Sequence, residues 1–147
     1  MIERSEVLLE YWKDQRAQAR QIESQRVSLS NLSLLLAGAG LGLLAGRELS
    51  RAWLPLTLTI IAIGIYGALG SVKLAERYDL HISYANVFSG LLSESLSITA
   101  YEDSIHQARL AHHRAHPIVH KIRLRSLWVA LHIFVATLGL VFTLLCL

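Results

Sequence analysis

Hydrophobic positions in this chain gather into three uncharged runs, 27–46, 52–72 and 126–147. A helix rising 1.5 Å per residue needs about 20 residues to cross the roughly 30 Å of hydrocarbon in a bilayer, and each run has that length. Hiding three such runs in the core of a 147-residue soluble protein is implausible, so the pattern predicts an all-α membrane protein with three transmembrane helices. Between and before the runs the pattern stays helical. Segment 1–26 holds neither proline nor glycine, is rich in Glu, Gln, Arg and Ala, and carries a thin apolar stripe of Leu8, Tyr11, Trp12, Ala19 and Ile22. It is expected to be an N-terminal helix running directly into the first span. After the second run, Leu74, Tyr78, Ile82, Ala85, Phe88 and Leu92 recur every three or four residues, which extends that helix to about Leu96. A further helix is expected over 99–116, ending at Pro117, which breaks or kinks the path into the third span. The organisation read from the sequence is therefore an N-terminal helix (1–26), three spans (27–46, 52–72 and 126–147) and a helical insert (73–125) between the second and third.

Composition sharpens the class without changing it. The chain is 53% hydrophobic and 17% charged, against about 45–50% and 25% in ordinary soluble domains. The first run starts only after a charged, helix-favouring segment and a second follows closely, which argues against a cleaved signal peptide. The single cysteine, Cys146, permits neither a disulfide framework nor a cysteine metal site. Twelve of the 14 lysines and arginines fall in 1–26 or 73–125, and only Arg47 and Arg51 lie in the connector between the first two spans. Cationic side chains resist translocation, so both larger segments are expected on the cytoplasmic side of a cell inner membrane, with the connector and the C-terminus outside. With Leu147 closing the third span, recognition is expected in the membrane or at the cytoplasmic face. Trp53 and Trp128, near the starts of the second and third spans, read as interface anchors.

Within the spans, Gly38, Gly42 and Gly46 repeat every four residues, and Gly64 with Ala68, then Gly67 with Ser71, repeat the same small-residue spacing. Such spacing lets helix backbones approach closely. Gly38, Gly42, Gly46, Gly64 and Ala68 are accordingly candidates for a helix-packing face, joining spans one and two of one copy, or building a homo-oligomer, or lining a pore. The third span offers only Ala136 and Gly139. No carboxylate, lysine or arginine lies inside a span, which removes the usual marks of a proton relay or voltage sensor. His132 is the exception among ionisable residues and is read as an interfacial histidine bonded to a neighbouring helix.

The insert is charge-polarised: net −3 over 73–103, then five basic residues and no acid over 109–125. Arg109, Arg114, Lys121, Arg123 and Arg125 are candidates for contact with lipid headgroups or a cytoplasmic protein partner, and attraction to the acidic half of the insert is compatible with either. His112, His116 and His120 are weak metal candidates at four-residue spacing, but Pro117 interrupts them and no H-E-x-x-H or cysteine partner accompanies them. No metal or cofactor is expected. The histidines read first as an interfacial polar cluster. No nucleophile elbow, ordered triad or phosphate-cradling glycine loop is present, so no enzymatic activity is expected. No aromatic residues interleave with the basic stretch as a nucleic-acid stacking platform requires.

Three strings, Tyr11-Trp12-Lys13-Asp14-Gln15-Arg16, Ser71-Val72-Lys73-Leu74-Ala75-Glu76-Arg77-Tyr78-Asp79-Leu80-His81 and His116-Pro117-Ile118, resemble a set of small uncharacterised bacterial multi-span membrane proteins. The plan of a membrane hairpin followed by cytoplasmic helices is also similar to the SLATT domains, two-span effector modules of nucleotide-signalled bacterial conflict systems; the third span here is an addition to that plan. The resemblance implies an oligomerising membrane effector or pore, working in stress or defence and activated through a cytoplasmic partner. The residues alone leave a second expectation beside it, a structural or adaptor subunit that anchors such a partner.

Overall fold

The computed structural model describes residues 4–96, 99–116 and 123–147, with the backbone alone for 99–102. Among the described residues the elements are all helical: α1 (Arg4–Leu44), a short 3₁₀ turn (Arg51–Trp53), α2 (Leu54–Ser95), α3 (Thr99–Ala115) and α4 (Leu124–Leu145). Helices α1, α2 and α4 are each long and apolar enough to cross a membrane. The expected joining of segment 1–26 to the first span holds, as one helix of 41 residues, and the second span does continue without a break, as a helix of 42. Proline is absent from α1, and in α2 Pro55 sits in the first turn, where its missing N–H breaks no helical bond. Gly46 takes φ +73° just past the end of α1, a left-handed conformation that glycine adopts without steric cost. The chain leaves the helix there, with Ala45 N–H donating to the Leu41 carbonyl (3.0 Å) and Arg47 N–H to that of Leu44 (3.2 Å). The break expected at Pro117 lies outside the described residues.

Two compact units divide the chain: one from 24–75 with 124–147, the other from the described residues of 1–23 and 76–123. In the first, which contains all three apolar runs, α2 packs antiparallel to both α1 and α4. Against α4 the matched positions run Thr57 with Thr143, Ile61 with Gly139, Gly64 with Ala136 and Gly67 with His132, one sequence ascending as the other descends. Against α1 they run Ile60 with Gly40 and Gly70 with Leu29. Ala37, Leu44, Ile60 and Val135 form the buried core, with Leu41, Leu49, Trp53, Leu56 and Phe142 packed on it. The outside of this unit is also apolar: Leu35, Leu43, Tyr66, Leu69, Phe134 and Leu144 are exposed. A soluble protein would not present such a surface, whereas hydrocarbon solvates it.

In the second unit the apolar stripes predicted on α1 and α2 supply the interior. Ala19, Ile22 and Ala85 are buried, Leu8, Trp12, Tyr78, Ile82, Phe88 and Leu92 half-buried. The Tyr11 and Phe88 rings stack with centroids 5.5 Å apart, and His81 Nδ1 lies 2.7 Å from Gln15 Oε1. Glu10 and Lys13, three residues apart, form an ion pair at 2.8 Å on an exposed face, where such a pair contributes little. On helix α3 every described side chain, over 103–116, is exposed.

Candidate functional site

Polar side chains inside the three-helix unit gather in two successive layers. One is built around His132 of α4, which has no exposed surface. Its Nε2 lies 3.0 Å from the Ser30 hydroxyl of α1, also fully buried, and its Nδ1 faces Gly67 of α2 so closely that a Cβ there would overlap the ring. The neighbouring layer lies one helical turn away on each helix, where residues four apart share a face. It holds Arg26, Trp128 and the fully buried Ser71. The Arg26 guanidinium carbon sits 5.8 Å from the centre of the Trp128 ring, and Arg26 is only 7% exposed. His132 Nδ1, Ser71 Oγ and Trp128 Nε1 are buried without a hydrogen-bond partner among the described residues. Ser33, three residues beyond Ser30 on α1, returns its hydroxyl to the Leu29 carbonyl at 2.9 Å, satisfying itself within its own helix.

Toward the opposite end a smaller polar contact joins α2 and α4. Thr143 Oγ1 lies 2.9 Å from Thr57 Oγ1 and 2.8 Å from the Gly139 carbonyl, and the Thr57 hydroxyl lies 3.1 Å from the Leu54 carbonyl. Each threonine has one proton to donate, and this set of acceptors accommodates both. Between the two polar levels lies the apolar core around Ile60 and Val135. Along its inside, the three-helix unit is thus polar, apolar and polar again.

The glycines fall into two groups. A Cβ at Gly64 would stand 2.5 Å from the Ala136 nitrogen, one at Gly139 2.8 Å from the Ile61 nitrogen, and one at Gly40 3.1 Å from Ile60 Cδ1. These three, with Gly67 and Gly70, are where helices meet. Gly38 and Gly42 meet nothing within 4 Å and are exposed, and Gly46 stands outside α1 in its left-handed turn. Within one copy, therefore, α1 meets α2 through Gly40, two residues away from the repeat that the spacing singled out. The closest approaches belong to α2 and α4 rather than to the first two spans. Gly64 packs on α4, and Ala68 lines an outward apolar groove between α2 and α4 together with Ile65, Ile133 and Leu140. The signal that could have shown this was the paired spacing of Gly64 and Gly67 in one run with Ala136 and Gly139 in another.

Other candidates are dispersed. Trp53 is half-buried against the core and Trp128 half-buried beside Arg26. Arg109 and Arg114 are exposed on α3, Arg123 is exposed just before α4, and Arg125 is exposed in the first turn of α4. The His112 and His116 rings lie 4.8 Å apart between centroids, while Lys121 and His120 fall outside the described residues. No group of three or more His, Cys, Asp or Glu placed to hold a metal ion occurs among the described residues. Cys146 is buried.

The fold and these contacts define the class, an all-helical chain with three helices able to span a membrane, locked together by a buried histidine and close glycine contacts. No known protein family, no curated protein and no solved structure matches the chain.

Proposed function

We infer that this is a non-enzymatic, multi-pass protein of a bacterial inner membrane, with its N-terminus and the 73–125 insert in the cytoplasm, that associates with its own copies to act as a membrane effector or pore. The observation that carries the reading is the uncovered pair Gly38 and Gly42, exposed on α1 while Gly40, Gly64, Gly67, Gly70 and Gly139 are all engaged. An exposed glycine face within an apolar run weakens a helix without contributing packing to its own fold, and close approach by another helix is what such a face supports. The interior of one copy is closed by Ile60 and Val135, so conduction in this reading belongs to an assembly and not to a single chain. The SLATT-like plan of the sequence points the same way.

The test is Gly42→Leu. Expression of the native chain is expected to collapse membrane potential, measured with a potential-sensitive dye, and the variant, at equal membrane abundance, to leave it intact. Dye leakage retained in Gly42→Leu would remove the glycine-face mechanism. A second reading, an adaptor that anchors a cytoplasmic protein, is favoured by the exposed Val7, Leu9 and Tyr11 on α1, which with Glu6, Glu10 and Asp14 line an open groove. It predicts no leakage from the native chain and a stable partner whose co-purification is lost in Tyr11→Glu.

A further inference from the structure

Helix α3 stands apart from the other helices in the exposure of its described side chains. Every described side chain over 103–116 is exposed, including Ile105 and Leu110 at 40% each. Turned at 100° per residue, its positions nevertheless sort into sides. Ser104, Ala108, Ala111 and Ala115 share one face, with Ile105 and His112 at its border. Arg109 and Arg114 fall on opposite flanks of that face, and His116 lies beside Arg109. Asp103, His106, Leu110 and His113 occupy the far side. A weakly apolar face edged on both sides by arginine is the arrangement of a helix lying along a membrane, where long cationic side chains reach headgroups from either edge. Eight residues join Ala115 to Leu124, the first residue of α4. So short a chain spans at most roughly 30 Å, which keeps α3 within reach of whichever surface α4 enters.

We propose that α3 is a surface-docking helix for the anionic phospholipids of the membrane the protein spans, held by Arg109 and Arg114 and tightened by acid through His112 and His116. The proposal rests on the membrane-spanning reading and is independent of self-association. Charge complementarity selects the occupant: 106–116 contains two arginines, four histidines and no acid. Histidine is the side chain whose charge changes between about pH 5 and 8. His112 and His116 stand on the edge shared with Arg109, whereas His106 and His113 point from the opposite side, so the two pairs are expected to behave differently. Both His112 and His116 are exposed, and among the described side chains of α3 the other charged or titratable groups are Asp103, His106, Arg109, His113 and Arg114.

The experiment uses the full chain carrying Cys146→Ala and Ala111→Cys, labelled with an environment-sensitive fluorophore on the thiol introduced at position 111 and placed one copy per nanodisc. Discs of phosphatidylcholine alone are compared with discs containing about 30 mol% phosphatidylglycerol, an anionic fraction that attracts clustered basic residues. The label is expected to shift to the blue in anionic discs only, to revert at high salt, and to shift further between about pH 7.5 and pH 5.5. Arg109→Gln and Arg114→Gln are each expected to lower the docked-to-free ratio about fivefold. His112→Gln with His116→Gln is expected to abolish the acid response, while His106→Gln with His113→Gln leaves it unchanged. Equal spectra in the two discs overturn the proposal, as does an acid response that follows His106 and His113. A blue shift present in both discs would mean that α3 docks on protein, for instance on the acidic groove of Glu6, Glu10 and Asp14, and also overturns it. Failure of the chain to enter discs at all would instead strike the membrane-spanning reading on which the proposal stands.

Discussion

A histidine enclosed by three apolar helices is stabilised by the few atoms its ring reaches. For His132 these are the Ser30 hydroxyl at 3.0 Å and the flat surface left by Gly67. Hydrogen bonds between membrane helices average about 0.6 kcal/mol and reach about 1.7, because an unfolded chain in lipid finds other partners. Since both groups here are fully buried, a double-mutant cycle of Ser30→Ala and His132→Ala should give a coupling near the upper end of that range, measured by reversible unfolding in mixed micelles. Coupling indistinguishable from zero would show that the contact positions nothing. Gly67→Ala supplies an independent check. Its added methyl collides with the imidazole, a cost of about 1–3 kcal/mol in a well-packed interior. That cost should largely vanish in the His132→Ala background, where the ring is gone.

Among the elements, α2 is held on two sides by different means, and the difference makes its substitutions unequal. Gly64 and Gly139 abut backbone nitrogens of the facing helix at 2.5 and 2.8 Å from an added Cβ. Backbone cannot yield as a side-chain tip does, so Gly64→Ala or Gly139→Ala should push α2 and α4 apart, with a loss of about 2 kcal/mol or more. Gly38→Ala, which meets nothing, should be neutral or stabilise a single copy by up to about 1 kcal/mol through helix propensity. Thermal unfolding in detergent, under conditions that keep copies apart, separates these outcomes; equal losses at all three positions would contradict the packing described. This is also where the limits of the sequence lie. Span lengths and the long α1 and α2 were legible, because apolar composition and an absence of breakers act locally. The stripes of Ile22, Ala85 and Phe88 were legible for the same reason. The packing face of the first span was not, since Gly38, Gly40 and Gly42 all offer small surfaces and only the offset between neighbouring helices decides which turns inward. The partner of His132 was hidden likewise among Ser28, Ser30, Asn31 and Ser33, four nearby polar residues of which one aligns with the ring.

For the molecule as a whole, the distribution of lysine and arginine makes an orientation that can be checked directly. In a Cys146→Ala background, Ser50→Cys in the first connector should react with a membrane-impermeant maleimide added to intact cells, and Gln107→Cys on α3 only after permeabilisation. The reverse pattern would invert every assignment of side. The contact between Ser30 and His132 also has a consequence in time, since the two residues are 102 positions apart. A ribosome releases Ser30 long before His132 exists, and at about 5–20 residues per second the interval lasts some seconds to tens of seconds. Over the later part of it, once α2 has been made, the nascent hairpin of α1 and α2 leaves Gly64, Gly67 and the Ser71 hydroxyl with no α4 to cover them. The newborn chain is therefore most open to a foreign helix, or to proteolytic surveillance, before its own last helix arrives, and the speed of synthesis past residue 132 becomes a determinant of how much protein reaches its closed form.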